Sequence, residues 1–218
     1  MNRLDRPPSE NGRTSLILLI FLGALFLGGL GAFFLRQPTP PQGLGDRTQW
    51  LARGPKLANF SLPSTQGTLT QNQLQGHWTF ILFGYTHCPD VCPTDLALLA
   101  GVVHSFATSQ KTTAPPQVVF ISVDPARDSL DILKRFVPAF DPSFIGAQAD
   151  DTQLQPFAQT LGVYVVRHRD EADAQGNYTV DHSSAIFLFN PQGQLQASFQ
   201  MPQTTARMFA ETWAIMRH

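Results

Sequence analysis

The chain has 218 residues and a formal net charge of −1, from 15 Lys plus Arg against 16 Asp plus Glu. Such a balance, with no basic cluster, leaves no electrostatic footprint for a nucleic-acid partner. Two cysteines cannot build a disulfide scaffold, so they serve chemistry, one local bridge, or nothing.

Residues 1–14 are polar and carry Arg3, Arg6 and Arg13. From Leu16 to Leu35 the chain runs uncharged for twenty residues, LILLIFLGALFLGGLGAFFL. As a helix this stretch is roughly 30 Å long, the thickness of a bilayer hydrocarbon core. The preceding arginines favour a cytoplasmic N-terminus, and Arg36 weakens that bias. A cleaved signal peptide is the competing reading. Its apolar region usually spans about 7–15 residues and ends in a small-x-small site, and no clear Ala-x-Ala follows this run. The expected organisation is a cytoplasmic segment (1–14), a transmembrane anchor (15–36), a Pro- and Gly-rich linker (37–56) and a folded domain (57–218) outside the cytoplasm. Asp5 and Glu10 are unlike an acid-poor transit peptide, which favours a bacterial inner membrane and a periplasmic domain. A mitochondrial protein facing the intermembrane space has the same architecture.

In the domain, 58–62 and 68–70 read as a hairpin across the turn at 63–67. Trp78–Phe83 and Gln117–Val123 are apolar and β-rich, the pattern of central strands buried on both faces. Helices are expected over Thr94–Phe106, Leu130–Val137, Asp151–Leu161 and Thr204–Arg217, the third capped by Asp150 or Asp151 with its start left open by Pro156. Shorter strands are expected at 144–146 and 163–166, and 168–177 reads as a polar excursion. Ala185–Phe189 and Leu195–Phe199 then pair across the turn at 190–193. Early β/α alternation implies parallel pairing, and the last hairpin adds antiparallel strands. This order resembles the thioredoxin-like fold, an α/β architecture with a mixed central sheet.

Both cysteines fall in Gly84-Tyr85-Thr86-His87-Cys88-Pro89-Asp90-Val91-Cys92-Pro93, between a strand and a helix. Residues four apart on a helix share a face, so Cys88 just before the helix and Cys92 in its first turn can converge. The helix N-terminus offers unpaired N–H groups and partial positive charge, and a depressed thiol pKa is expected there. A structural zinc site wants four N/S ligands, and only one cysteine pair exists. Two soft sulfurs and an imidazole suit copper, Cu(I) especially. Candidate imidazoles are His77, His87, His104, His168 and His182. His182 precedes the strand Ala185–Phe189, in a loop expected beside the cysteine helix; on geometry alone it stays open between ligand and surface histidine.

Three blocks carry a closer resemblance: Phe83–Pro93, then Ser122-Val123-Asp124-Pro125-Ala126-Arg127-Asp128, then Val180-Asp181-His182-Ser183-Ser184. In order and approximate spacing, together with the N-terminal anchor, they resemble the Sco/SenC family over Leu57 to the C-terminus. That resemblance implies a membrane-anchored, thioredoxin-like copper protein. It would help assemble the binuclear copper centre of cytochrome c oxidase subunit II, working with that subunit or its copper-delivery proteins. It matches Cys88, Cys92 and His182 to the family's copper ligands, for Cu(I) or Cu(II). Asp124 matches an aspartate near the site, with a supporting role at most. The family also includes thiol–disulfide reductants of the target cysteines, and the sequence does not separate these activities.

Overall fold

The structure, a computed structural model, describes residues 11–35, 38–109 and 114–218. Most of the expected cytoplasmic segment, through residue 10, and Arg36 lie outside the described residues. The chain divides into two compact units, one ending at Thr39 and one spanning Pro40–His218. In the first, α1 (Asn11–Leu35) is one helix of 25 residues. Its described large apolar side chains, from Leu16 to Leu30, are all exposed.

The second unit is built on an eight-stranded mixed sheet. Its parallel centre is β4 (Thr79–Gly84), β5 (Gln117–Ser122) and β6 (Ile145–Gln148). The crossovers carry α2 (Val91–Thr108) and α3 (Leu130–Phe136). Beyond β6 lies the hairpin β2 (Ser61–Ser64) and β3 (Gly67–Thr70). Beyond β4 come antiparallel β9 (Ile186–Phe189), β10 (Leu195–Phe199) and β1 (Thr48–Trp50). Two further helices complete it, α4 (Asp151–Leu161) and α5 (Thr205–Met216).

Strand alternation divides the core between the two faces of the sheet. Phe80 and Leu82 of β4 join Val118 and Phe120 of β5 under α2 and α5, meeting Leu96, Leu99, Val102, Phe106, Met208 and Ile215. Ile81 and Phe83 point the other way, with Val119, Ile121, Phe157 and Phe187. Burying each such side chain stabilises the fold by about 1.5–3 kcal/mol. α2 is long and apolar enough to cross a membrane by composition, but its buried stripe marks it as a core helix of this unit.

Local chemistry sets the helix ends. Asp150 and Gln153 form a reciprocal capping box on α4, and Gly162 ends that helix at φ 68°. Thr204 caps α5. α3 stops at Phe136, and Pro138 sits in the 3-10 turn that follows.

Two elements depart from the expected pattern. Thr48–Trp50 lies within the segment read as linker, 37–56, yet it pairs with Ala197–Phe199. Buried Glu211 of α5 accepts hydrogen bonds from the Gly45 N–H (2.8 Å) and the Thr48 hydroxyl. Partners more than 160 positions apart leave no local signature, so the folded unit reaches ahead of residue 57. The second departure is a separate two-stranded sheet, β7 (Val165–Arg167) with β8 (Val180–His182), whose tip is the polar excursion.

Candidate metal centre

β4 delivers the cysteine turn to the start of α2. Gly84 closes the strand because nothing larger fits. A Cβ there would stand 2.8 Å from Cys92 Sγ and 2.7 Å from the Phe120 ring. The chain turns through a Cys88 N–H to Tyr85 carbonyl bond of 3.2 Å. α2 begins at Val91, three residues earlier than expected, which puts Cys92 in its first turn and Cys88 just ahead of it.

Both cysteines are free thiols, Cys88 half-buried and Cys92 buried. Cys88 Sγ accepts the Cys92 N–H at 3.5 Å, using one of the orphan donors of the helix start. The depressed thiol pKa expected here is not found at Cys92. Burial pushes that thiol up, and the neighbouring Cys88 adds to the shift, outweighing a hydrogen bond from the Tyr85 backbone.

β8 carries His182 to the same place. Its Nε2 lies 3.8 Å from Cys92 Sγ. Its Nδ1 stands 2.9 Å from the Ser183 carbonyl, which can only accept, so Nδ1 carries a proton and the neutral form of the ring would turn its Nε2 lone pair to the sulfur. The Tyr85 ring packs edge-on against the imidazole at 5.9 Å. Metal–sulfur and metal–nitrogen bonds of about 2.3 and 2.0 Å cannot bridge donors more than about 4.3 Å apart. The observed 3.8 Å lies inside that limit. Among the described residues no group of three His, Cys, Asp or Glu donors is already drawn into a metal cluster. The Cys88 thiol rests on the helix N-terminus, beside that of Cys92.

The other imidazoles stand elsewhere. His87 bonds Thr86 and leans toward Asp128. His168 pairs with Asp181 at 2.9 Å, and His77 and His104 are exposed. Asp124 is fully buried, and its carboxylate is taken up by Arg127 Nε and by the Tyr178 hydroxyl at 2.6 Å. It reaches the histidine hairpin through Tyr178 rather than facing a sulfur. A cavity of about 350 Å³ opens beside the cysteine turn, bounded by Tyr85, His87, Pro89, Arg127 and Tyr178.

Gly84, Asp128, Arg127 and Tyr178 were not singled out by sequence reasoning as individual site residues. Arg127 and Asp128 lie within a block that the sequence does mark. Gly84 has a readable signal, a glycine closing an apolar strand just before the thiols. Tyr178 has none, because its partners are more than fifty positions away.

A mixed sheet that presents two free thiols and an imidazole at the head of a helix defines a thioredoxin-like protein with a soft-metal or redox centre. The sequence profile of the SCO1/SenC family matches residues 51–217. The chain belongs to that family. It is 36% identical to a mitochondrial SCO2 homolog of Danio rerio over 57% of this chain and 43% of that one. The chain thus spans less than half the length of that relative, and 39% of a mitochondrial SCO1 homolog of Arabidopsis thaliana. A SCO2-like protein of Rickettsia prowazekii is 31% identical over 84% of this chain and 86% of its own. Among solved structures, copper-bound ScoI of Arabidopsis thaliana superposes with a TM-score of 0.66 at 29% identity, over 75% of this chain and 99% of that one. BsSco, described as a member of the Sco family of cytochrome c oxidase assembly proteins, shares the fold at 16% identity and a TM-score of 0.57, over 77% of this chain and 98% of its own.

Proposed function

We propose that this chain is a membrane-anchored copper chaperone that binds copper through Cys88, Cys92 and His182. Its cargo is destined for the binuclear copper centre of cytochrome c oxidase subunit II, given directly or through that subunit's copper-delivery proteins. The observation that carries the reading is the Cys92 Sγ to His182 Nε2 approach of 3.8 Å, with Nδ1 held by a carbonyl. Fixing the far nitrogen of an imidazole in this way is how proteins orient a histidine ligand. Soft thiolates with one imidazole favour Cu(I) and also accept Cu(II). The copper-bound state of a structural relative points the same way. Asp124 orients the site from behind Tyr178 and makes no bond to metal. α1 is the anchor: at about 1.5 Å per residue its length is near 37 Å, enough to span a bilayer. The domain then faces the periplasm, or the intermembrane space of a mitochondrion.

The test is transfer. Copper-loaded full-length chain, solubilised in detergent, is mixed with the copper-free soluble domain of an oxidase subunit II. The visible absorption of the binuclear centre should develop with the parent and not with Cys88→Ser or Cys92→Ser. Failure of the loaded parent to give up copper would count against the chaperone role.

A second reading rests on a different observation: one thiol is half-exposed and its neighbour buried, the layout of an attacking and a resolving cysteine. In that case the Cys88 thiolate attacks an oxidised target disulfide and releases one target thiolate. Cys92 then displaces the second and leaves a Cys88–Cys92 disulfide. Such activity would survive His182→Ala, whereas copper binding would not.

A further inference from the structure

The turn between β5 and α3, Asp124-Pro125-Ala126-Arg127-Asp128, touches both halves of the centre. Its two carboxylates are fully buried, which is costly unless each is paired and hydrogen-bonded. Asp128 is satisfied from the cysteine side. It accepts the Thr86 N–H at 2.8 Å, the Thr86 hydroxyl at 2.5 Å and the Ser122 hydroxyl at 2.6 Å. Thr86 lies two residues before Cys88.

Asp124 and Arg127 face the histidine side. Arg127 Nε pairs with Asp124, and Arg127 Nη1 donates to the Tyr178 carbonyl at 2.9 Å. The guanidinium lies 3.5 Å over the Tyr178 ring, whose hydroxyl returns to Asp124 at 2.6 Å. Its other neighbour, at 5.6 Å, is the Tyr85 ring that abuts His182. Tyr178 stands four residues before His182.

The hairpin that bears His182 needs such a hold. β7 and β8 share three residue pairs and do not join the main sheet, and a two-stranded ribbon alone is marginal in water. Its apolar anchors are buried Val180 and partly buried Val165 and Tyr178. Arg167 Nε adds a bond to the Val123 carbonyl at 2.7 Å, on the same segment.

We infer that Arg127 is a positioning residue for His182: gripping Tyr178 together with Asp124, it sets how far the imidazole stands from the thiols, while Asp128 of the same turn sets the cysteine loop. The inference rests on the copper reading of Cys88, Cys92 and His182. One turn thereby becomes the common reference for donors that are 90 positions apart.

The test uses the full chain in detergent, first without copper. Arg127→Ala should speed hydrogen exchange of the β7–β8 amides and leave those of β4 and β5 unchanged. With copper, its Cu(I) affinity, measured by competition with a chromophoric chelator, should fall about 10–100-fold, the usual cost of losing an outer partner. Its Cu(II)–thiolate absorption should move toward that of His182→Ala. In the His182→Ala background Arg127→Ala should cost no further affinity, because it acts through the imidazole. Tyr178→Phe keeps the ring and removes the bond to Asp124; a loss of about fivefold is expected, the net weight of one hydrogen bond. It serves as the test should Arg127→Ala fail to fold. Parental affinity and spectrum in both variants would overturn the inference, as would an undiminished Arg127→Ala penalty in the His182→Ala background. Unchanged copper retention in His182→Ala alone would instead sink the copper reading, and the inference with it.

Discussion

His182 Nε2 stands 3.8 Å from Cys92 Sγ, although 90 positions separate the two residues. The approach joins a hairpin outside the main sheet to the first turn of α2, so the centre belongs to neither element alone. Removing the imidazole should therefore damage copper binding without damaging either thiol. We expect His182→Ala to weaken Cu(I) binding by more than roughly 100-fold, beyond the usual cost of an outer partner. Chelator competition measures the affinity, and thiol titration should still count two reactive cysteines per chain.

Gly84→Ala tests the close approach behind the thiols. The new methyl would meet Cys92 Sγ at 2.8 Å and the Phe120 ring at 2.7 Å, and neither has room to retreat in a close-packed core. Overpacking of this kind costs about 1–3 kcal/mol. Urea unfolding should show that loss, together with weaker copper binding as Cys92 is displaced. Parental stability would mean that the site is more plastic than its packing indicates.

Asp95 carries a pH dependence. It is buried on α2, and burial raises its pKa from 3.8 to about 6. The folded state therefore holds this proton more tightly than the unfolded chain does. The associated stability is complete below about pH 4 and is lost as pH rises through 6. A shift of this size corresponds to about 3 kcal/mol. Asp95→Asn should therefore flatten this part of the stability–pH curve and raise stability at pH 7 relative to the parent. Denaturant unfolding at pH 4.5 and pH 7 checks it; an unchanged difference between the two would refute the assignment.

Glu211 tests where the folded unit begins. Glu211→Ala strands the Gly45 N–H, the Thr48 hydroxyl and Arg207 Nε, at about 1–3 kcal/mol for a buried group left unpaired. Hydrogen exchange at Thr48–Trp50 should rise well above that of β9. Equal protection would show that β1 is held by strand pairing alone.

The sheet centre and its helices were legible because their signals are local. Six consecutive buried residues in β4 and five in β5 need no partner to be read, and Asp150 announces its own helix through Gln153. The cysteine pair and the three blocks likewise point to the centre. What the sequence hid depends on distant satisfaction of polar groups. β1 exists because Thr48 and Gly45 meet Glu211, and β8 holds its place because Tyr178 meets Arg127 and Asp124. At Cys92 the reason is related: helix-terminal charge is visible in a sequence, whereas the burial that outweighs it there is a property of the packed core.

The most direct measurement is X-ray absorption at the copper edge of the loaded full-length chain. Two sulfur neighbours and one imidazole nitrogen are expected, with the nitrogen lost in His182→Ala and one sulfur lost in Cys88→Ser. A site with no sulfur ligand, or one unchanged in His182→Ala, would contradict this ligand set.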